Sequence, residues 1–414
     1  MGSISENFVA FSDVPQGKPD AMNDLRLRLV ADKSPNKIDL GAGVYRDTKG
    51  KYYELPVIRK AKEILAPLPA DHDYGRNTGD PKFLRKAAEV MFGKDSEALN
   101  SGKIASAQTI AGSGACHTGA VFTSKFFATP NNSPPTAYIG TPAWNNYENI
   151  FPHAGIPISQ YKYYDRATNT VDFASLLSTV RAAPPRSVFV LQGVCHNPTG
   201  LDLSRDQWLQ VADALAAGGH LPFFDVAYQG FGEGIEEDGW AVREFVRRGF
   251  ELVVAQSFSK NLGLYGERVG VVHVVTGDEA KARNVADQLR CFIRWDFSSP
   301  PRYPATLATT VLEIYWDEWQ ENLKEMRERL QWNRKTLHKF LTEELKTPGN
   351  WTHVLQENGL FSFLSLSPAD VERLGSEFHI HLPSTGRINV AGLNESNVET
   401  VARAIDRVVR ERSN

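Results

Sequence analysis

The sequence predicts an α/β protein with a mostly parallel central sheet in a large domain and a small α+β domain beside it. From about Phe83 to Val275, helical periodicity alternates with short β-rich runs, the pattern of helices layered on a sheet. Those runs are mostly continuous in apolar residues, as strands covered on both faces should be. Beyond Pro304 the alternation stops and a long amphipathic stretch begins, so the C-terminal part is organised differently.

Taken in order, "KFLRKAAEVMF" has helical spacing at Phe83, Ala87, Val90 and Met91. Strands are expected at "TAYIG" (136–140), "SVFVLQGV" (187–194), "LPFFDV" (221–226), "ELVVAQ" (251–256) and "VGVVHVV" (269–275), each bounded by Gly, Pro, Asn or Ser. Helical segments such as "DQWLQVADALAA" and "AVREFVRRG" separate them. The stretch 312–345 is apolar at Leu312, Trp316, Trp319, Leu323, Met326, Leu330, Leu337 and Leu341. It exceeds a typical helix of about 10–14 residues. It reads as a helix bridging two domains, as two helices with a break, or as a coiled-coil arm. After Pro348, "LFSFLSL", "GRINVAGL" and a final helix suffice for a small α+β unit. The expected division is a large domain over 50–325, a small domain built from 12–49 and 326–414, and an N-terminal arm over 1–11.

Composition narrows the function. The 414 residues carry 46 Lys+Arg against 49 Asp+Glu, a net charge of -3, so no bulk field favours nucleic acid or an anionic membrane. Cys116, Cys195 and Cys291 are odd in number and far apart, which suits a reducing compartment and indicates neither a disulfide framework nor a metal site. The N-terminal segment contains Glu6 and Asp13 and has no long apolar run, unlike a signal or transit peptide. No segment approaches the roughly 20 apolar residues of a membrane span. A cytoplasmic protein without membrane or nucleic-acid partners is expected.

The chemistry gathers at strand ends, where α/β proteins place their sites. "SFSKNLGLYGERVG" (257–270) sets Lys260 between two serines and a glycine-containing turn, directly after an apolar strand. "AGSGACHTGA" (111–120) opens a helix with Gly112 and Gly114, so backbone N–H groups could hold a phosphate; as a dinucleotide fingerprint it fails for want of the third glycine. "CHNPTG" (195–200) ends a strand with Asn197, and "FFDVAYQGF" (223–231) places Asp225 at another strand end with Tyr228 three residues on. Each alone is more simply a turn, a cap or a packed aromatic. Together they ask for one ligand with a phosphate, an aldehyde for Lys260 and a cationic ring nitrogen for Asp225, and pyridoxal phosphate has all three. A buried carboxylate keeps the pyridine nitrogen protonated, and a lysine supplies first the carrier and then the proton-transfer base.

The order "GSGA", "HNPTG", "DVAYQGF", "SFSKNLGLYGERVG", "RWDFSSPP" and "GRINVAGL" resembles the aspartate aminotransferases among the fold-type I pyridoxal-phosphate enzymes, from about Phe11 to the last helix. The resemblance implies that Lys260 forms the Schiff base with the cofactor and that Asp225 pairs with its ring nitrogen. Tyr228 and Asn197 would bond the phenolic oxygen, Trp144 would stack on the ring, and Ser257, Arg268 and Gly112-Ser113 would hold the phosphate. Tyr74 would reach the phosphate of a neighbouring subunit, making the enzyme a homodimer with shared active sites. Arg387 would grip the substrate α-carboxylate by bidentate geometry. Arg294 would cross from the other subunit to a side-chain carboxylate, and Gly43 would lie on a segment that folds over the substrate.

The chain departs from the family pattern at several positions. Ala111 stands where the phosphate turn usually begins with serine. Tyr147 and Gln192 occupy positions that commonly carry histidine, one of which supports the ring-nitrogen aspartate. Arg76 and Asn77 replace apolar residues near the expected entrance. The resemblance implies an aminotransferase exchanging the amino group between a dicarboxylic amino acid and a 2-oxo acid such as 2-oxoglutarate. A second reading keeps the cofactor but ends in Cβ or Cγ elimination, replacement or cyclisation in a specialised biosynthetic pathway. A third makes the chain a non-catalytic binding protein, against which Lys260, Asp225, Tyr228 and Arg387 argue.

Overall fold

The structure is a computed structural model that describes residues 11, 13–68, 72–131 and 133–413; residues 1–10 of the expected N-terminal arm, Glu6 among them, lie outside the described residues. A seven-stranded sheet organises the chain. Its strands are β1 (Ile104–Ile110), β2 (Ala137–Thr141), β3 (Ile158–Lys162), β4 (Val188–Gln192), β5 (Leu221–Val226), β6 (Leu252–Ser257) and β7 (Val269–Val275). Across the sheet they run β1-β7-β6-β5-β4-β2-β3. Neighbours are parallel from β6 to β3, whereas β7 is antiparallel to both β1 and β6.

The continuous apolar runs of β4, β5 and β6 are explained by what covers them. Successive residues of β5 face opposite cores: Phe223 packs with Phe151 and Val253, and Phe224 with Trp208 and Phe245. On the first face lies α1 (Ala111–Phe126), which comes so close that a Cβ added at Gly119 would stand 2.9 Å from the Phe223 ring. The five strands expected from sequence are present within a residue or two. β1 and β3 were not foreseen: "IASAQTI" is small and polar, and "ISQYK" is a sheet edge, where polar residues are tolerated.

The amphipathic stretch is two helices. α2 (Arg302–Ile314) ends at Tyr315, whose φ of -119 and ψ of 30 break the spiral, and α3 (Trp316–Lys339) follows. Leu312 therefore belongs to the first helix, and of the readings offered for 312–345 the structure has two helices with a break, the second of them long. The apolar spacing continues across the break because both helices bury a face in the same core. α3 touches the sheet side through Trp319, whose indole N–H donates to the Asn261 carbonyl at 2.7 Å. Near its middle Arg329 donates to the carbonyls of Arg46 and Leu393, at 2.6 and 2.9 Å.

The C-terminal part holds two short strand pairs: Phe361–Phe363 antiparallel to Arg387–Asn389, and Ile38–Asp39 parallel to Ile380–His381. Helices Pro368–Phe378 and Val398–Arg410 cover them. One buried ion pair fastens the first pair to α3. Arg334 Nη1 donates to Glu357 at 3.1 Å, while its Nη2 donates to the carbonyls of Gly359 and Phe361 at 3.0 and 2.6 Å. Glu357 also accepts from the Phe363 N–H at 3.1 Å and from the Ser362 hydroxyl. Burial still pushes its carboxyl up to about 7, against the pull of Arg334. Breaking such a pair strands a charge away from water, at about 3–5 kcal/mol. Arg334→Met is therefore expected to lose that much stability in urea unfolding at pH 7, with partial recovery in Arg334→Met/Glu357→Gln. A loss under about 1 kcal/mol would contradict the assignment.

Candidate active site

The register of the parallel strands sets the site. Gln192 pairs with Asp225, and Val226 with Gln256, so the carboxyl ends of β4, β5 and β6 finish at one edge. Asp225, next to last in β5, is buried, and its Oδ2 accepts from the Tyr147 hydroxyl at 2.5 Å. Burial raises its pKa to about 6, opposed first by the Tyr147 hydroxyl, then by the charge of Lys260 and by the Cys116 thiol. Tyr147 begins the helix Tyr147–His153 and stands at 89° to the Trp144 ring, with centroids 5.3 Å apart.

Lys260 follows β6 by three residues. Its ammonium lies 5.2 Å above the Tyr228 ring and has no hydrogen-bond or ion-pair partner among the described residues. Burial lowers its pKa to about 8; Asp225 opposes the shift, and Arg268 and Arg387 reinforce it. About a tenth is thus unprotonated at pH 7, far more than in an ordinary lysine.

Next to this amine is an anion cradle. α1 starts straight from β1 with no side-chain cap, leaving its first N–H groups to be satisfied otherwise. A Cβ on Gly112 would stand 3.0 Å from Ser257 Cβ, so glycine keeps the floor open. Ser257 Oγ accepts from the Ser259 N–H at 3.2 Å. Arg268 has φ +56, left-handed and costly for arginine; its Nη1 donates to the Tyr265 carbonyl at 2.9 Å and to Ser259 Oγ at 3.4 Å, and it pairs with no carboxylate among the described residues. Gly112, Ser113, Trp144, Asn197, Asp225, Tyr228, Ser257, Lys260 and Arg268, expected as one constellation, line a single cavity.

Arg387 stands beside the cavity. Its guanidinium lies 4.1 Å over the Phe361 ring, Nη1 donates to Asn197 Oδ1 at 3.3 Å and Nη2 to the Gly41 carbonyl at 2.5 Å. Its Nε is buried without a partner among the described residues. Gly43 is close by, since a Cβ there would stand 3.0 Å from Phe361 Cζ. Asn197 is held by Gln192, which accepts from its N–H at 2.8 Å and donates to its carbonyl at 3.0 Å.

Tyr74 and Arg294, unlike Arg387 and Gly43, lie at the surface of this chain and not beside the cavity. Tyr74 is 86% exposed, and Arg294 is exposed with Nη1 on Ser298 Oγ at 2.7 Å. Arg76 is exposed too, and Asn77 Nδ2 donates to the Ser298 carbonyl at 2.5 Å. Three contributors were missed as such: Ser259, overlooked beside Lys260; Tyr147, noticed only as a missing histidine; and Gln192, noticed the same way but serving Asn197.

Residues 35–405 match the family described as Aminotransferase class I and II. The chain belongs to that family. This aminotransferase is 38% identical over 405 residues to the cytoplasmic aspartate aminotransferase of Schizosaccharomyces pombe, covering 97% of this chain and 98% of that one. Among solved structures it resembles the cytoplasmic aspartate aminotransferase of Saccharomyces cerevisiae with a TM-score of 0.93 at 38% identity, over 97% of this chain and 99% of that chain. It also resembles an aromatic-amino-acid aminotransferase from Burkholderia pseudomallei covalently bound to pyridoxal phosphate, with a TM-score of 0.92 at 36% identity, over 97% and 100%. The aminotransferase therefore has the fold of type I enzymes, and its cofactor is pyridoxal phosphate. Its residues fit that group: an uncapped helix start and an arginine without a carboxylate suit a phosphate, and a buried carboxyl and a free amine suit the ring nitrogen and the aldehyde.

Asp225 makes a pH-dependent demand on the cofactor-free protein. Its folded pKa of about 6 exceeds the unfolded value of about 3.9, so the folded chain holds the proton more tightly. Stability is then unpenalised below pH about 4 and falls as pH rises toward 6, by roughly 3 kcal/mol in all. Asp225→Asn should stabilise the cofactor-free protein by up to that amount at pH 7 and leave it little changed at pH 4. Equal stability of the two proteins at pH 7 in chemical unfolding would contradict the buried-carboxylate assignment.

Proposed function

We propose that the enzyme exchanges the amino group between a dicarboxylic amino acid of the aspartate or glutamate type and a 2-oxo acid such as 2-oxoglutarate. The observation that carries this reading is Arg387: a guanidinium stacked on Phe361 at the edge of the Lys260 cavity, bonded to no carboxylate among the described residues and with Nε buried without a partner among them. A buried donor without an acceptor costs free energy until a ligand supplies one, and a carboxylate matches the guanidinium fork.

When bound, pyridoxal phosphate supplies an aldehyde that carries the amino group and a ring that accepts the electron pair left at the substrate Cα. The chain supplies the rest. Lys260, its amine partly neutral near pH 8, takes the Cα proton and returns it during transfer. Asp225, kept ionised by the Tyr147 hydroxyl, holds a proton on the ring nitrogen. Tyr228 and Asn197 would bond the phenolic oxygen, Trp144 would cover the ring, and Gly112, Ser113, Ser257 and Arg268 would hold the phosphate, with Ser259 steadying the last two. Arg387 orients the α-carboxylate.

Arg294 and Tyr74, exposed and outside the cavity of their own chain, serve the opposite site of a homodimer in this reading, Arg294 at the second carboxylate and Tyr74 at the phosphate. The segments 12–49 and 326–414 form a small domain that closes with Gly43 over the substrate and excludes water. A cytoplasmic location is supported by the similarity to the cytoplasmic aspartate aminotransferase of Schizosaccharomyces pombe; among the described residues no helix is long and apolar enough to cross a membrane.

Incubation with aspartate and 2-oxoglutarate, followed by mass spectrometry, should yield glutamate and the 2-oxo acid of aspartate. Lysine cannot reproduce a bidentate grip, so Arg387→Lys should lower kcat/KM for aspartate about 10²-fold, a loss near 3 kcal/mol that appears largely in KM. Unchanged KM in that variant would refute the carboxylate role.

A further inference from the structure

Met22 lies against the substrate-binding arginine. It sits in the first turn of the helix Ala21–Ala31, one turn before Leu25, the buried residue of that helix. Leu25 packs so tightly on Gly41 that a Cβ there would stand 2.3 Å from Leu25 Cδ2. The Gly41 carbonyl is the acceptor of Arg387 Nη2, and one turn back along the helix Met22 Sδ lies 3.8 Å from the same Nη2. Packing of one leucine on one glycine thus aims a thioether at the guanidinium.

The other methionines are differently placed. Of the four in the sequence, Met1 lies outside the described residues, Met91 and Met326 are 0% and 1% exposed, and Met22 is 39% exposed. Peroxide reaches an exposed thioether and is kept from buried ones.

From this we propose that Met22 is a reversible oxidation site that controls substrate affinity; the inference rests on the carboxylate role assigned to Arg387. Hydrogen peroxide oxidises the Met22 thioether: sulfur gains one oxygen and gives up two electrons, the O–O bond breaks, and the second oxygen leaves as water. A thioether is a weak acceptor, whereas a sulfoxide oxygen is a strong one. Placed beside Nη2, that oxygen accepts from Arg387 and competes with the substrate carboxylate. Electron-pair acceptance and Cα proton transfer at the cofactor are untouched, so the effect falls on KM rather than kcat. Reduction by a methionine sulfoxide reductase with a dithiol restores the thioether and releases the arginine.

The test uses the cofactor-loaded enzyme treated with graded hydrogen peroxide, with peptide mass mapping of Met22 and steady-state kinetics on aspartate. KM should rise about tenfold in step with Met22 sulfoxide, the worth of one competing charge-assisted hydrogen bond, with kcat within about twofold. Methionine sulfoxide reductase should restore the original KM. Met22→Leu, compared with its own untreated activity, should be insensitive, and this separates Met22 from the half-buried Cys291. Met22 sulfoxide without a change in KM, or an equal loss in Met22→Leu, would overturn the proposal. Untreated Arg387→Lys run alongside distinguishes the two failures: if its KM equals that of the wild type, the carboxylate role itself is wrong.

Discussion

A carboxylate and an amine share the water-poor edge where three parallel strands end, and burial drives them in opposite directions, Asp225 up to about 6 and Lys260 down to about 8. Neither shift arises on a solvated surface. Each partner also limits the other, because the Lys260 charge lowers Asp225 and the Asp225 charge raises Lys260. The surrounding residues keep this pair dry and fixed. The Phe223 side of the sheet is sealed by α1, and Tyr147, itself fully buried, supplies the hydroxyl that keeps the carboxylate from being bare. A group with a raised carboxyl pKa and a group with a lowered amine pKa in one cavity are what proton transfer near neutrality requires.

The second half of the site comes from distant sequence. Phe361, over which Arg387 stacks, is held through its carbonyl by Arg334 of α3, and Arg334 is held by Glu357. The same helix donates from Trp319 to Asn261, the residue after Lys260. One helix therefore ties the backbone next to the amine to the strand beside Arg387. Gln192 completes the link, bracketing both backbone groups of Asn197, whose side chain accepts from Arg387.

Much of this was legible in the sequence because the residues concerned sit in distinctive local settings. Lys260 follows an apolar strand with a turn of small residues, and Asp225 interrupts an apolar run at its end; a buried strand end announces both. β1 and β3 were illegible because one is built of small and polar residues and the other is an edge with one face in water. A break was one reading of the amphipathic stretch, but its place at Tyr315 was hidden because both helices share a core face and keep one apolar spacing. Tyr147 and Gln192 were visible only as departures from a pattern. What replaced histidine could be known only in three dimensions: a phenol reaching Asp225 from another helix, and an amide turned toward Asn197. Tyr74 and Arg294 were read from resemblance, and a single chain leaves both at its surface.

The claim on which the account stands is that Lys260 is the amine that receives the cofactor. Borohydride reduction of the cofactor-loaded enzyme converts the linkage to a stable secondary amine, and peptide mapping by mass spectrometry then locates it. The account predicts the modification on Lys260 alone, with none in Lys260→Ala treated in parallel. Recovery of the label on any other lysine of the wild-type enzyme would contradict it.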